Sequence, residues 1–172
     1  MQFREAFRRL VGSEIFREWR GAHPHNYLAH GFFMDGEGVV REWQIGFYDK
    51  DTDRITTFSV ADDIMHNPPS ELFKKEAAVR ELVLEHVASD SDEALDTAHA
   101  HRKEKYRGHD PTKTMILLQH LPIGQVWNIS FITSTFAICN VKVDAKSGEV
   151  LSSSCESLLG LGEAFRGKDK NS

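Results

Sequence analysis

The chain has 172 residues, 40% of them apolar, enough to bury a core without metal or disulfide staples and to form one large unit or two small ones. Its net charge is -5 and its pI about 6.0, with both signs interspersed, which argues against nucleic acid, whose phosphates call for a concentrated basic face. No apolar run is long enough to span a bilayer, and the charged N-terminal stretch lacks an apolar leader core or cleavage site, so a cytoplasmic location is expected unless an exported precursor was trimmed.

Phe3, Phe7, Leu10, Val11, Ile15 and Trp19 recur at three-to-four spacing, which predicts an amphipathic helix over 3–19, interrupted near Gly12-Ser13. Gly21 and Pro24 stop it. Three strands follow, "YLAHGFFM" (27–34), "VVREWQIGFYD" (39–49) and "RITTFSV" (54–60), separated by the turn signals "DGEG" and "KDTD". A connector with Pro68-Pro69 leads to "SELFKKEAAVREL" (70–82), read as a short helix. A longer helix is expected within 81–106, with Ser89 or Ser91 as N-cap. Gly108 and Pro111 end it, and its basic terminal run Arg102-Lys103-Glu104-Lys105-Tyr106-Arg107 suits a solvated helix end. Three more strands, 112–120, 126–134 and 136–144, run into a hairpin at 144–149. "LLGLGEAF" near the end reads as a turn, and the tail beyond it as frayed.

The two halves match in order and in residues. Trp43-Gln44-Ile45-Gly46-Phe47 aligns with Trp127-Asn128-Ile129-Ser130-Phe131, each preceded by a helix carrying Glu-Ala (Glu5-Ala6 and Glu93-Ala94). Period-two spacing puts Trp, Ile and Phe on one sheet face, where a helix can cover them. The expectation is an α+β protein built of two similar helix-plus-antiparallel-sheet units packed as one body. The boundaries are 1–66 for the first unit, 67–80 for a connector helix, 81–160 for the second unit and 161–172 for a tail. Chance remains the alternative, since Trp-x-Ile-x-Phe is what any half-buried strand looks like.

Sites of chemistry are scarce. Asp49, Asp51 and Asp53 alternate like the start of a calcium loop, but Arg54 and Val60 stand where Gly and Glu are needed, so a polar turn is expected. His99 and His101 are two apart on a helix and cannot chelate together, and neither they with His109 and Asp110, nor His23, His25 and His30, form a metal motif. No nucleophile elbow, phosphate loop or dinucleotide fingerprint is present, and no pair of acids is singled out. Neither catalytic residues, a metal nor a cofactor is therefore assigned, and the ligand-binding residues stay open. The two cysteines fit a reducing compartment, Cys139 as a small buried hydrophobe, although counting alone leaves a single bridge to Cys155 open.

The order of helix "DEALDTA", strands "MILLQH" and "VWNISFI", and hairpin Val141-Lys142-Val143-Asp144-Ala145-Lys146-Ser147-Gly148-Glu149-Val150 resembles a PepSY-type domain over residues 82–154. Residues 3–60 would then be a degenerate copy, in which "FYDKDTDRITTF" keeps the hairpin's rhythm without its glycine. Geometry alone explains the hairpin: Gly148 supplies a positive φ and Asp144 bonds the turn amides, which makes the turn scaffold. The resemblance implies a non-catalytic module that restrains a peptidase or mediates protein contacts.

The expected function is accordingly a non-catalytic interaction or regulatory protein, binding a polypeptide through a sheet face or edge, with no nucleic acid or membrane partner. The alternative is a small-molecule binder or enzyme with a pocket between helix and sheet, lined by Trp19, Tyr27, His30, Tyr48 and Trp127. A homodimer, or a purely structural homo-oligomer subunit, is the third reading.

Overall fold

The computed structural model describes residues 1–71 and 78–158. Helices α1 (Phe3–Gly12) and α2 (Glu14–Ala22) are followed by strands β1 (Tyr27–Gly36), β2 (Trp43–Asp49), β3 (Arg54–Val60) and β4 (Ile64–Glu71). A 3-10 turn, Leu84–His86, leads to α3 (Ser91–Lys105) and strands β5 (Pro111–Leu121), β6 (Gly124–Thr133), β7 (Ala137–Asp144) and β8 (Val150–Ser157). The α+β expectation holds. The strands form one antiparallel sheet in the order β4-β3-β2-β1-β5-β6-β7-β8.

The helix break falls where the sequence places it. Ser13 ends α1 and caps α2, its side chain accepting from the Phe16 amide. The N-cap of α3 differs from expectation: it is Asp90, in a capping box with Glu93, rather than Ser89 or Ser91. Ser91 Oγ instead accepts from the Phe3 amide. A further difference lies in the expected connector helix. Residues 67–71 belong to β4, residues 78–83 are not helical, and 72–77 lie outside the described residues, as do the expected C-terminal turn from residue 159 and the tail. Pro68 and Pro69 read as a break, but they sit in a bulge of this edge strand, between the Thr57–Asn67 and Ile55–Ser70 pairs, where neither has to donate to the ladder.

Among the described residues, α1, α2 and α3 all cover the same face. Trp43, Ile45 and Phe47 of β2 and Trp127, Ile129 and Phe131 of β6 are all fully buried there, in one continuous core with Leu10, Phe16, Ala94 and Ala98. Phe3 wedges between the two tryptophans, its ring centre 5.1 Å from that of Trp43 and 5.9 Å from that of Trp127. Gly31 makes the wedge possible, because a Cβ there would overlap the Phe3 ring. The start of α1 is bound to the start of α3 through Gln2–Asp92 (3.0 Å), Phe3–Ser91 (3.3 Å) and Arg4 to the Val87 carbonyl.

The hairpin between β7 and β8 behaves as read. Asp144 Oδ1 accepts from the amides of Lys146 and Ser147, which holds its carboxyl below the usual range, and Gly148 takes φ 74°. The Ala145 carbonyl accepts from Ala88 and Ser89, so the turn also anchors the entry to α3. It is scaffold. The Asp49–Asp53 turn is likewise polar packing: Asp49 caps two turn amides and Asp53 accepts from the Tyr48 hydroxyl.

Candidate functional site

Among the described residues, no helix element covers the other face of the sheet. Its side chains line up in rows across the strands, set by the pairing registers. One row runs Met65, Ser59, Gln44, Phe32, Leu117, Asn128, Lys142, Ser152, one residue per strand from β4 to β8. Its centre is apolar, and Met34 faces Met115 in the next row. All four central apolar residues are half-buried. The β6–β8 side is polar: the Asn140 amide donates to Asn128 (2.6 Å) and Ser130 (2.8 Å), and Lys142 donates to Asn140 (3.0 Å).

A bulge in β1 shapes the centre. Register slips between Leu28 and His30, so Ala29 and His30 both line the helix-free face while Leu28 stays in the helix-side core. The chain leading to α3 then crosses this face. The Tyr27 hydroxyl donates to the Val79 carbonyl (2.9 Å), the Leu82 amide to Leu28 (2.8 Å), and His120 Nδ1 lies 2.6 Å from the Glu81 carbonyl. Between this strap and the strands lies a cavity of about 430 Å³. Its floor is His30, Phe32, Gln44, Leu117 and Gln119, and its walls are Val79, Arg80 and the β5–β6 turn.

His30 is the distinctive group there. Its ring lies over Gly46, where any Cβ would overlap it, and burial pushes its pKa down to about 4. The imidazole is thus neutral near pH 7, with one donor and one acceptor nitrogen beside two carboxamides. No carboxylate, hydroxyl or thiol lines the cavity among the described residues. An apolar floor with neutral hydrogen-bonding groups, and the Arg80 guanidinium in its wall, can bind and orient a ligand.

The five residues expected to share a pocket between helix and sheet are not together. Trp19 and Trp127 are packed into the helix-side core, while Tyr27, Tyr48 and His30 face the other way, and only His30 lines the cavity. Around Trp19 the helix–sheet interface is closed by tight aromatic contacts, Trp19 against Phe47 and Phe58 at 5.2 Å each, whereas a smaller cavity of about 260 Å³ opens between α3 and the sheet, with Leu95 and His99 facing Phe33 and Trp43. The cavity on the other face is hidden from sequence reasoning because Ala78, Val79 and Arg80, which line it, fall in a stretch whose composition predicts helix. His99 packs on Phe131 (4.7 Å) and His101 bonds Ser153 (2.9 Å), so the helical histidines diverge as their spacing requires.

Cys139 and Cys155 form a disulfide between paired positions of β7 and β8. Cys139 is buried as expected, but as half of a bridge rather than as a free apolar side chain. The signal was available: both residues are equidistant from the turn at Ser147, so a tight hairpin there sets them opposite each other. A ring nitrogen of His109 and the two sulfurs lie within 4.8 Å of one another.

No family model matches the chain, and no curated protein matches it by sequence. Among solved structures it is similar to the crystal structure of a putative lipoprotein from Clostridium difficile 630. The TM-score is 0.57 at 13% identity, over 83% of this chain and 91% of that one. The likeness is therefore one of fold. No helix among the described residues is long and apolar enough to cross a membrane.

Proposed function

We propose that this chain is a non-catalytic binding module that holds a polypeptide partner against the helix-free face of its sheet, as a PepSY-type module restraining a peptidase would. The observation that carries this reading is the half-buried apolar centre of Phe32, Leu117, Met34 and Met115 around a cavity, bordered by an Asn–Ser–Lys field. Apolar pockets seat anchoring side chains, and the carboxamides and hydroxyls beside them can bond a peptide backbone. Peptide-display selection against the intact protein tests it. Selected peptides should share an apolar anchor and lose at least about tenfold in affinity to Leu117→Lys, a loss on the order of 1.4 kcal/mol. Peptides indifferent to that change, or none selected, overturn it.

The cavity's own size favours a second reading, a small apolar ligand hydrogen-bonded to His30. Native mass spectrometry of the purified protein separates the two, since a retained small molecule lost with His30→Ala speaks for the ligand.

We also propose that the halves are repeats related by a two-fold axis through the Phe32–Leu117 pair. Support comes from the registers: Gly31–Leu118 and Phe33–Ile116 exchange about that pair, and Trp43–Val60 corresponds to Trp127–Val143. The double exchange Phe32→Leu with Leu117→Phe should then stay within about 0.5 kcal/mol of the parent, less than the sum of the single changes. Additive losses on urea unfolding speak against the axis.

Location is part of the same proposal. The cytoplasmic residence expected from the sequence stands against the Cys139–Cys155 pair, since disulfides rarely persist among cytosolic thiols, and against the name of the structural neighbour. Alkylating the thiols of the chain inside its own cells decides: quantitative labelling places it in a reducing compartment.

A further inference from the structure

We propose that reduction of the Cys139–Cys155 disulfide converts this corner of the sheet into a zinc site, with both thiolates and the imidazole of His109 as ligands and water as the fourth. The three ligand atoms already lie within 4.8 Å of one another. A tetrahedral zinc, with Zn–S about 2.3 Å and Zn–N about 2.0–2.1 Å, sets its ligands roughly 3.3–3.8 Å apart. The sulfurs must part from bonding distance and the imidazole must approach by on the order of 1 Å, within the reach of side-chain rotation.

The framework does not depend on the S–S bond. Backbone pairing runs along β7 and β8 from Ala137–Ser157 to Val143–Val150, and it keeps residues 139 and 155 opposite each other after reduction. His109 is held from both sides. Its carbonyl accepts from Arg102 Nη1 (2.6 Å), and its Nδ1 lies 2.7 Å from Thr135 Oγ1, which in turn lies 2.9 Å from Thr133 Oγ1. The Ser134 amide donates to the Asp110 carbonyl (3.0 Å), stapling that loop to the β6–β7 turn. A ligating histidine whose other nitrogen is bonded to a fixed partner is the usual arrangement at zinc. Cys139 is buried while Cys155 and His109 are half-buried, so an ion would enter from the outer side of β8. Two soft thiolates and an imidazole favour zinc over magnesium or calcium.

The chemistry closes as follows. A dithiol reductant attacks the disulfide, the S–S bond breaks, and two protein thiols form as the reductant becomes a disulfide. Zinc then displaces the two thiol protons, giving a neutral bis-thiolate site and releasing two protons. A disulfide oxidant takes two electrons from the bis-thiolate and is reduced to its dithiol, which re-forms the S–S bond and ejects the ion, so metal and disulfide exclude each other.

Cobalt(II) titration of the intact chain tests this, after reduction with a phosphine that does not bind metal. The reduced protein should take up one equivalent with thiolate-to-cobalt charge-transfer and tetrahedral d–d bands, displaced by zinc, while the oxidised protein shows neither. His109→Ala should weaken zinc binding by at least about tenfold with circular dichroism unchanged. A folded, reduced protein without those bands overturns the proposal, as does binding indifferent to His109→Ala. Loss of the fold on reduction overturns it equally, because the site needs strand pairing that outlasts the bond.

Discussion

His30 carries a pH dependence of known sign. Its folded pKa, about 4, lies below the value of 6.5 for an unperturbed histidine, because burial disfavours the imidazolium. Between those values the unfolded chain takes up a proton that the folded chain refuses. Stability is therefore full above pH 6.5 and falls as pH drops toward 4, by on the order of 2 kcal/mol once the part of the ring open to the cavity is allowed for. His30→Gln should flatten that part of the slope, as read by urea unfolding at several pH values between those limits. At Gly31 the argument is steric. A Cβ would sit 2.3 Å from Phe3 Cε2, and Phe3 has tryptophans on two sides and nowhere to go. Gly31→Ala is expected to lower stability by about 1–3 kcal/mol, the usual range for overpacking, in the same unfolding measurement.

Among the elements, α3 depends on its first turn. Asp90 accepts from the Ser91 amide while Glu93 reaches back to the Asp90 amide, so Asp90→Ala should cost about 1 kcal/mol, seen as a lowered urea midpoint. The Cys139–Cys155 bridge spans 16 residues of sequence, for which closing the loop limits the unfolded chain by up to roughly 3 kcal/mol. Cys155→Ser should lower stability by no more than that and leave the far-ultraviolet spectrum unchanged. What could be read of these elements beforehand follows their physics. β2 and β6 were legible because large apolar residues alternate with small or polar ones at Trp43–Phe47 and Trp127–Phe131, even though in β2 Gly46 and Tyr48 on the other face are buried as well. β4 was not, because Pro68, Pro69 and mostly exposed neighbours leave no alternation at a sheet edge. The cavity was illegible for another reason: its lining combines residues from 29 to 122, and only the registers bring them together.

At the scale of the molecule, the halves are joined twice. β1 pairs with β5 along seven positions, and α1 is tied to the start of α3 while its Phe3 fills the gap between Trp43 and Trp127. Neither half closes its core alone. Expressed separately, 1–81 and 82–172 should each lack a cooperative transition, whereas the whole chain unfolds in one; calorimetry checks both. The wedge also sets an order of events on the ribosome. Phe3 is made well before one wall of its pocket, Trp127. Until β6 emerges, α1 can pack on α2, β2 and β3, but the Trp127 side of Phe3 stays open. During synthesis one side of Phe3 thus stays uncovered after the rest of the first half is complete, and that seal closes only when the second half arrives.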